Sequence, residues 1–261
     1  MSSHEQVSAT ESADRGAAPG DVDGRRGAVT VGRPGPSARD VISVLALTAV
    51  VLAVTTLLGH AILGSPGFLR SDATLVDDAT TLTAANPWLR STAMVWAEVS
   101  QPVVLWAVLI VAALTLWLTG RGEAAPRHLA AQQRLVRILP LSMLVWMTGV
   151  VAKGLVHRPR PTPDPDITTA WGTSYPSGHA LNSAAFAVLF VALVAPLLRT
   201  KVARGTLIVV LAVGAALTSV DRVLLGVHHV SDVVIGAIVG LAIAFGGLRL
   251  LHVRYRAHLG L

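Results

Sequence analysis

Between Val41 and Leu63 the chain runs for 23 residues without a formal charge, long enough to cross a bilayer as a helix. Five further apolar segments follow. They lie within Val99–Gly120, at Ile138–Val156, at Ala180–Leu198, from Gly205 to Val220 or beyond, and from about Val233 to about Leu251. Backbone in hydrocarbon must satisfy its own hydrogen bonds, so these segments predict an all-α, six-transmembrane-helix bundle. The first segment starts too late and runs too long for a cleaved signal peptide.

The uncharged cores of the third, fifth and sixth segments hold only 15 or 16 residues. They reach spanning length only if Lys153, Arg222 and Asp232 lie within or at the edge of the helices. A charge at membrane depth is expensive and marks a functional position.

Composition narrows the chemistry. The 261 residues are 52% hydrophobic and 14% charged, with a mean hydropathy of +0.61. There is no cysteine, which excludes disulfides, thiolate nucleophiles, Cys-ligated zinc and iron–sulfur clusters. The net charge of +6 sits in short loops between apolar runs. That placement is a membrane-orientation signal and argues against nucleic acid as a partner. Residues 1–39 are rich in Ser, Gly, Pro, Asp and Arg and lack periodicity, so they are expected to form a disordered cytoplasmic tail. The expected membrane domain covers 40–252, and 253–261 form a short cytoplasmic C-terminal tail.

With the N-terminus in the cytoplasm, fifteen of the 21 Lys and Arg residues fall on the inner side. The first outer loop, from about Gly64 to Glu98, instead carries Asp72, Asp77, Asp78 and Glu98. Its stretch Pro87–Val95 is expected to form a short interfacial helix, with Trp88 and Trp96 at headgroup level. This orientation makes a multi-pass cell-membrane protein with both termini cytoplasmic.

Three polar clusters then share the extracytoplasmic face. The first is Lys153 followed, after six residues, by Arg160-Pro161. The second is Pro176-Ser177-Gly178-His179, and the third is Arg222, His228 and Asp232. His228 and Asp232 are spaced i, i+4, which on a helix places them on one face. A carboxylate beside an imidazole fixes its tautomer and frees the other nitrogen for attack. Ser177 and Gly178 read as a helix start, where free N–H groups and the dipole suit an anion, with His179 as a proton donor. Lys153 is a point charge, while Arg160 and Arg222 are planar forks that match phosphate oxygens. Taken singly, each has a plainer reading, as a helix cap or a cation snorkelling to lipid headgroups. Taken together, on one membrane face, they describe a site for a phosphoryl group.

The pattern resembles the type 2 phosphatidic acid phosphatase superfamily: Lys-x6-Arg-Pro, Pro-Ser-Gly-His and Ser-Arg-x5-His-x3-Asp. That superfamily includes bacterial lipid phosphate phosphatases and undecaprenyl-diphosphate phosphatases, and shares its site with vanadium-dependent haloperoxidases. The resemblance spans about Lys153–Asp232 and implies roles residue by residue. His228 is the nucleophile and forms a phosphohistidine, Asp232 orients it, and His179 protonates the leaving oxygen. Lys153, Arg160 and Arg222 hold the phosphoryl oxygens, assisted by Ser177 and the Gly178 amide. No metal or other cofactor is implied. The implied substrate is a lipid phosphate, with a polyprenyl diphosphate ahead of phosphatidic acid, and membrane lipids are the implied surroundings. Asp221 stands where the pattern has Ser, and a carboxylate there can pair with Arg222 and orient it.

Two other classes remain at this point. His157, His179, His228, His229 and Asp232 offer zinc ligands, though the neighbouring cations would repel a metal. A non-catalytic lipid-binding or transport protein would also carry intramembrane charges. His157, Arg158 and His229 are expected to be exposed loop residues, and Trp171 and Tyr175 to anchor their loop at the interface. Oligomeric state is left open by the sequence.

Overall fold

A computed structural model describes residues 36–119 and 126–257, with side chains described over 36–119 and 135–251. The tail expected over 1–39 lies almost wholly outside the described residues. Eight α-helices and no strand occur among those described. They are α1 (Ala38–Leu63), α2 (Pro66–Ala85), α3 (Pro87–Val99), α4 (Pro102–Thr119), α5 (Pro126–Val156), α6 (Gly178–Val194), α7 (Lys201–Leu224) and α8 (Val230–Ala257). A single 3₁₀ turn, Ala195–Leu197, extends α6. Helix α8 continues through Ala257, five residues into the expected C-terminal tail.

Local chemistry sets the helix starts. Ser37 and Asp40 form a reciprocal capping box on α1, with Ser37 N donating to Asp40 Oδ2 at 2.9 Å. Helices α2 to α5 each begin on proline, whose fixed φ and missing N–H suit the first turn. Ser177 caps α6, and Thr200 caps α7 by accepting from Ala203 N at 3.1 Å.

Six described helices are long and apolar enough to cross a membrane: α1, α4, the Leu135–Val156 part of α5, α6 with its 3₁₀ turn, α7, and the Val230–Leu251 part of α8. Lys153 lies in the last turn of α5, Arg222 in the last turn of α7 and Asp232 in the first turn of α8. The three short apolar cores thus reach spanning length by taking in these charges. Many large apolar side chains point outward, including Val50, Leu57, Val209 and Ile238. Water would not tolerate such a surface, whereas hydrocarbon requires it. Several hydroxyls in the spans bond within their own helix, as in Thr55 Oγ1 to Val51 O at 2.7 Å and Thr148 Oγ1 to Leu144 O at 2.7 Å. The chain is a multi-pass membrane protein.

Helix α6 is the centre of the bundle, packed against α4, α5, α7 and α8. Its Leu181, Ala185, Leu189 and Leu193 meet Ile138, Leu141 and Val145 of α5, with Val239 and Ile243 of α8, in one apolar core. The α6–α8 seam is unusually close. A Cβ on Gly236 would lie 2.6 Å from Ser177 O, and one on Gly240 would lie 2.1 Å from Leu181 O. Small residues four apart let two backbones touch, as in other membrane helix pairs.

The segment between α1 and α4 is more structured than expected. Helix α2 precedes the short helix expected from Pro87, which itself runs to Val99. Trp88 is exposed, whereas Trp96 donates to Thr218 Oγ1 of α7 at 3.1 Å and so packs on the bundle. Asp72, one of the acidic residues of this segment, is buried at 4% exposure.

Candidate active site

The polar clusters meet where α5 and α7 end and α6 and α8 begin. The closeness of α6 and α8 brings two of them together, because Ser177 N donates to the Asp232 carbonyl at 3.0 Å. Gly236, one turn beyond Asp232, admits the Ser177 backbone.

His228 sits in the short turn between α7 and α8, 3% exposed. Gly226, at φ +70, makes that turn, and a side chain there would strike Pro163 and Thr80. His228 Nε2 lies 3.3 Å from Arg160 Nη1. A guanidinium can only donate, so Nε2 must carry a lone pair and the ring proton must reside on Nδ1. Nδ1 faces Asp232 Oδ2 at 3.7 Å, an electrostatic contact too long for a hydrogen bond. Burial pushes the His228 pKa down to about 4, helped by Lys153 and Arg160 and opposed by Asp232. The imidazole is therefore neutral near pH 7, with its free lone pair turned toward a cation.

The same geometry recurs at His179. Arg222 Nη1 lies 3.3 Å from His179 Nε2, again donor to acceptor. Asp221 holds the other edge of that guanidinium, accepting from Nε at 3.0 Å and from Nη2. The carboxylate in place of the usual serine therefore aims Arg222 at His179.

Lys153 and Arg160 are aimed by a row of carbonyls. Lys153 Nζ donates to Thr173 O at 2.6 Å and Ser174 O at 3.3 Å. Arg160 donates from Nη2 to Trp171 O at 3.0 Å, from Nε to Gly172 O at 3.2 Å, and from Nη1 to Val227 O at 2.6 Å. The α5–α6 loop is thus a cradle for two cations. Tyr175 pins it: its hydroxyl donates to Thr55 O of α1 at 2.7 Å, and Gly59 leaves room for its ring. Tyr175 is fully buried, which corrects its expected interfacial place, while Trp171 is exposed.

Ser177, also fully buried, accepts from Ala180 N at 3.5 Å as the cap of α6. The first-turn amides of Gly178 and His179 have no intrahelical acceptor and lie at the positive end of the helix dipole.

Two expectations of exposure fail. Arg158 is 1% exposed and His229 is 8% exposed, while His157 is exposed as expected. Arg158 Nη1 donates to Asp232 Oδ1 at 2.7 Å and to Ser231 Oγ at 2.6 Å, and Nη2 donates to Asp72 Oδ2 at 2.8 Å. His229 N donates to Asp232 Oδ2 at 3.0 Å. Sequence reading missed Asp72 and Arg158. One signal was present, since Asp72, Val76, Thr80 and Thr83 recur at helical spacing and form the buried face of α2.

The helical membrane bundle gathers two imidazoles, a buried carboxylate and three cations near the ends of its spans. Residues 134–256, which hold every motif residue, match the model of the PAP2 superfamily. The fold is similar to the crystal structure of a transmembrane PAP2-type phosphatidylglycerolphosphate phosphatase from Bacillus subtilis. That match has a TM-score of 0.63 and 21% identity, and covers 77% of this chain and 94% of the other. No curated protein matches the chain.

Proposed function

We propose that the chain is an integral-membrane lipid phosphatase that works through a phosphohistidine at His228. The observation that carries this reading is the Arg160–His228 contact at 3.3 Å, which leaves Nε2 of a buried neutral imidazole with a lone pair beside phosphate-binding cations. In the first step Nε2 attacks phosphorus, the N–P bond forms, and the bond from phosphorus to the lipid oxygen breaks. Lys153, Arg160 and Arg222 take up the charge on the equatorial oxygens. Asp232 stabilises the imidazole as it becomes cationic. His179 takes up a proton from solvent as the anionic substrate binds and passes it to the leaving oxygen. In the second step water attacks phosphorus, His179 accepts a water proton, the N–P bond breaks and inorganic phosphate leaves.

An apolar cavity of about 600 Å³ between α6, α7 and α8 supports a lipid as substrate. It is lined by Ala184, Ala215, Ser219, Ala237 and Leu241, among others, and Ser219 lies one turn before Arg222. A hydrocarbon chain there would run down from a phosphate held above. Among lipids we put a polyprenyl diphosphate first and a phosphatidic acid type next, on the family resemblance. The positive-inside count supports an extracytoplasmic site with both termini in the cytoplasm.

The test is phosphate release by detergent-purified full-length protein from a panel of polyprenyl diphosphate, phosphatidic acid and phosphatidylglycerolphosphate, with and without chelator. We expect turnover of at least one lipid, retained under chelation, a phosphoenzyme that is acid-labile and base-stable, and no turnover by His228→Ala. Normal release by pure His228→Ala would refute the mechanism.

A further inference from the structure

Behind the nucleophile lies a buried ionic cluster that the phosphoryl site does not itself need for binding. Asp232 Oδ1 accepts from Arg158, which leaves Oδ2 for the histidine side, where it meets His229 N at 3.0 Å and His228 Nδ1 at 3.7 Å. The second arm of Arg158 goes to Asp72, 86 residues earlier on α2. Asp72 also reaches α8 directly, accepting from Ser231 N at 3.2 Å through Oδ1 and from Ser231 Oγ through Oδ2. Arg158, Asp72 and Asp232 are each at most 4% exposed. Burying three charges is costly unless their geometry is fixed and their lone pairs are used, and here nearly all are.

The charge count matters as much as the geometry. Two carboxylates face one guanidinium, so the cluster keeps a net negative charge next to His228. On the other side of the imidazole stand Lys153, Arg160 and Arg222, with His179 between; Tyr175 and His229 are the remaining titratable groups nearby. A resting neutral imidazole has little use for that excess. An imidazole bonded to phosphorus through Nε2, with its proton on Nδ1, is cationic and is stabilised by it.

We infer that Asp72, outside all three motifs, is a positioning residue for the nucleophile: through Arg158 and Ser231 it sets the plane of the Asp232 carboxylate and supplies the negative charge that favours the phosphorylated imidazole. Helix α2 is then part of the catalytic apparatus rather than a surface connection. This inference rests on the reading of His228 as nucleophile.

The role predicts a division between kinetic constants that a merely structural contact would not give. Asp72→Asn keeps the shape and one hydrogen-bonding oxygen but removes the excess charge. The loss falls where positive charge develops on His228, in kcat. Binding of an anionic substrate loses nothing when a nearby carboxylate is neutralised, so KM stays level or falls. The expected drop in kcat is about 3- to 30-fold, the range by which residues acting through a chain of contacts modulate a site.

The experiment measures kcat and KM of full-length Asp72→Asn on the best lipid of the panel, per folded protein by size exclusion, beside wild type and His228→Ala. Ser231→Ala, which removes the hydroxyl that links Asp72 and Arg158 but keeps the Ser231 N–H bond to Asp72 and every charge, should lower kcat about 2- to 5-fold at level KM; it decides the matter if Asp72→Asn does not fold. Wild-type kcat in the folded variants, or a loss carried by a raised KM, overturns the inference. Turnover by His228→Ala would instead sink the nucleophile reading beneath it, whatever Asp72→Asn does.

Discussion

Replacing Gly236 by alanine adds one methyl group on the side of α8 that touches the start of α6. That Cβ would stand 2.6 Å from Ser177 O, 3.3 Å from Ser177 N and 3.4 Å from Leu181 N. Ordinary contact is about 3.5 Å, so the start of α6 must retreat by roughly 1 Å. The obstacle is backbone inside a helix start, which cannot swing aside as a side-chain tip would. The retreat stretches the Ser177–Asp232 hydrogen bond of 3.0 Å and carries His179 and the first-turn amides away from His228. Overpacking of this kind destabilises by about 1–3 kcal/mol. A displacement of about 1 Å in a site that works by positioning lowers turnover about 100-fold. Gly214, on α7, is the control, since a Cβ there meets nothing within 4 Å. Alanine at that helical position should leave activity unchanged and stabilise by up to about 1 kcal/mol. The assay is thermal unfolding in detergent together with lipid-phosphate turnover, and the unfolding arm holds whatever the substrate is. Wild-type Tm and kcat/KM in Gly236→Ala, or equal damage from Gly214→Ala, would refute the reasoning.

Other outcomes follow from the same contacts. Because burial lowers the His228 pKa to about 4, the acid limb of kcat/KM set by this residue should lie near pH 4, not near 6.5, in a profile measured with a pH-insensitive substrate. The same shift has a stability sign: between pH 6.5 and 4 the unfolded chain binds the proton that folded His228 refuses. Stability therefore falls as pH drops through that window, by roughly 3 kcal/mol in all, and His228→Gln should flatten that part of an unfolding curve. Arg158→Met leaves two carboxylates buried without their cation and should cost about 3–5 kcal/mol, read as a large drop in Tm. Asp221→Ser frees two guanidinium nitrogens of Arg222 but leaves the cation in place, so activity should stay within about tenfold of wild type, with the change in KM. Tyr175→Phe loses the bond to Thr55 O and should lower Tm by roughly 2–4 °C.

The sequence made the spans legible because hydrocarbon imposes a single rule, length without charge, and the three exceptions to it were Lys153, Arg222 and Asp232. Those residues point to the site by violating the pattern that surrounds them. What holds them in place was not legible, and the reason is physical. Lys153 and Arg160 are aimed by carbonyls of residues 171–174, and a carbonyl has no identity in a sequence. Arg158 reads as one more loop cation until Asp72, 86 positions away, is brought beside it, and no local period joins them. The Gly236–Gly240 pair was visible, but membrane helices are rich in glycine, and only the backbone of α6 gives these two their use. Motif residues name the chemistry because few side chains can perform it, whereas their supports are drawn from groups every chain possesses. The α2 helix shows the consequence: apolar spacing marks its buried face, yet only packing turns an acid on that face into the far anchor of the carboxylate behind His228.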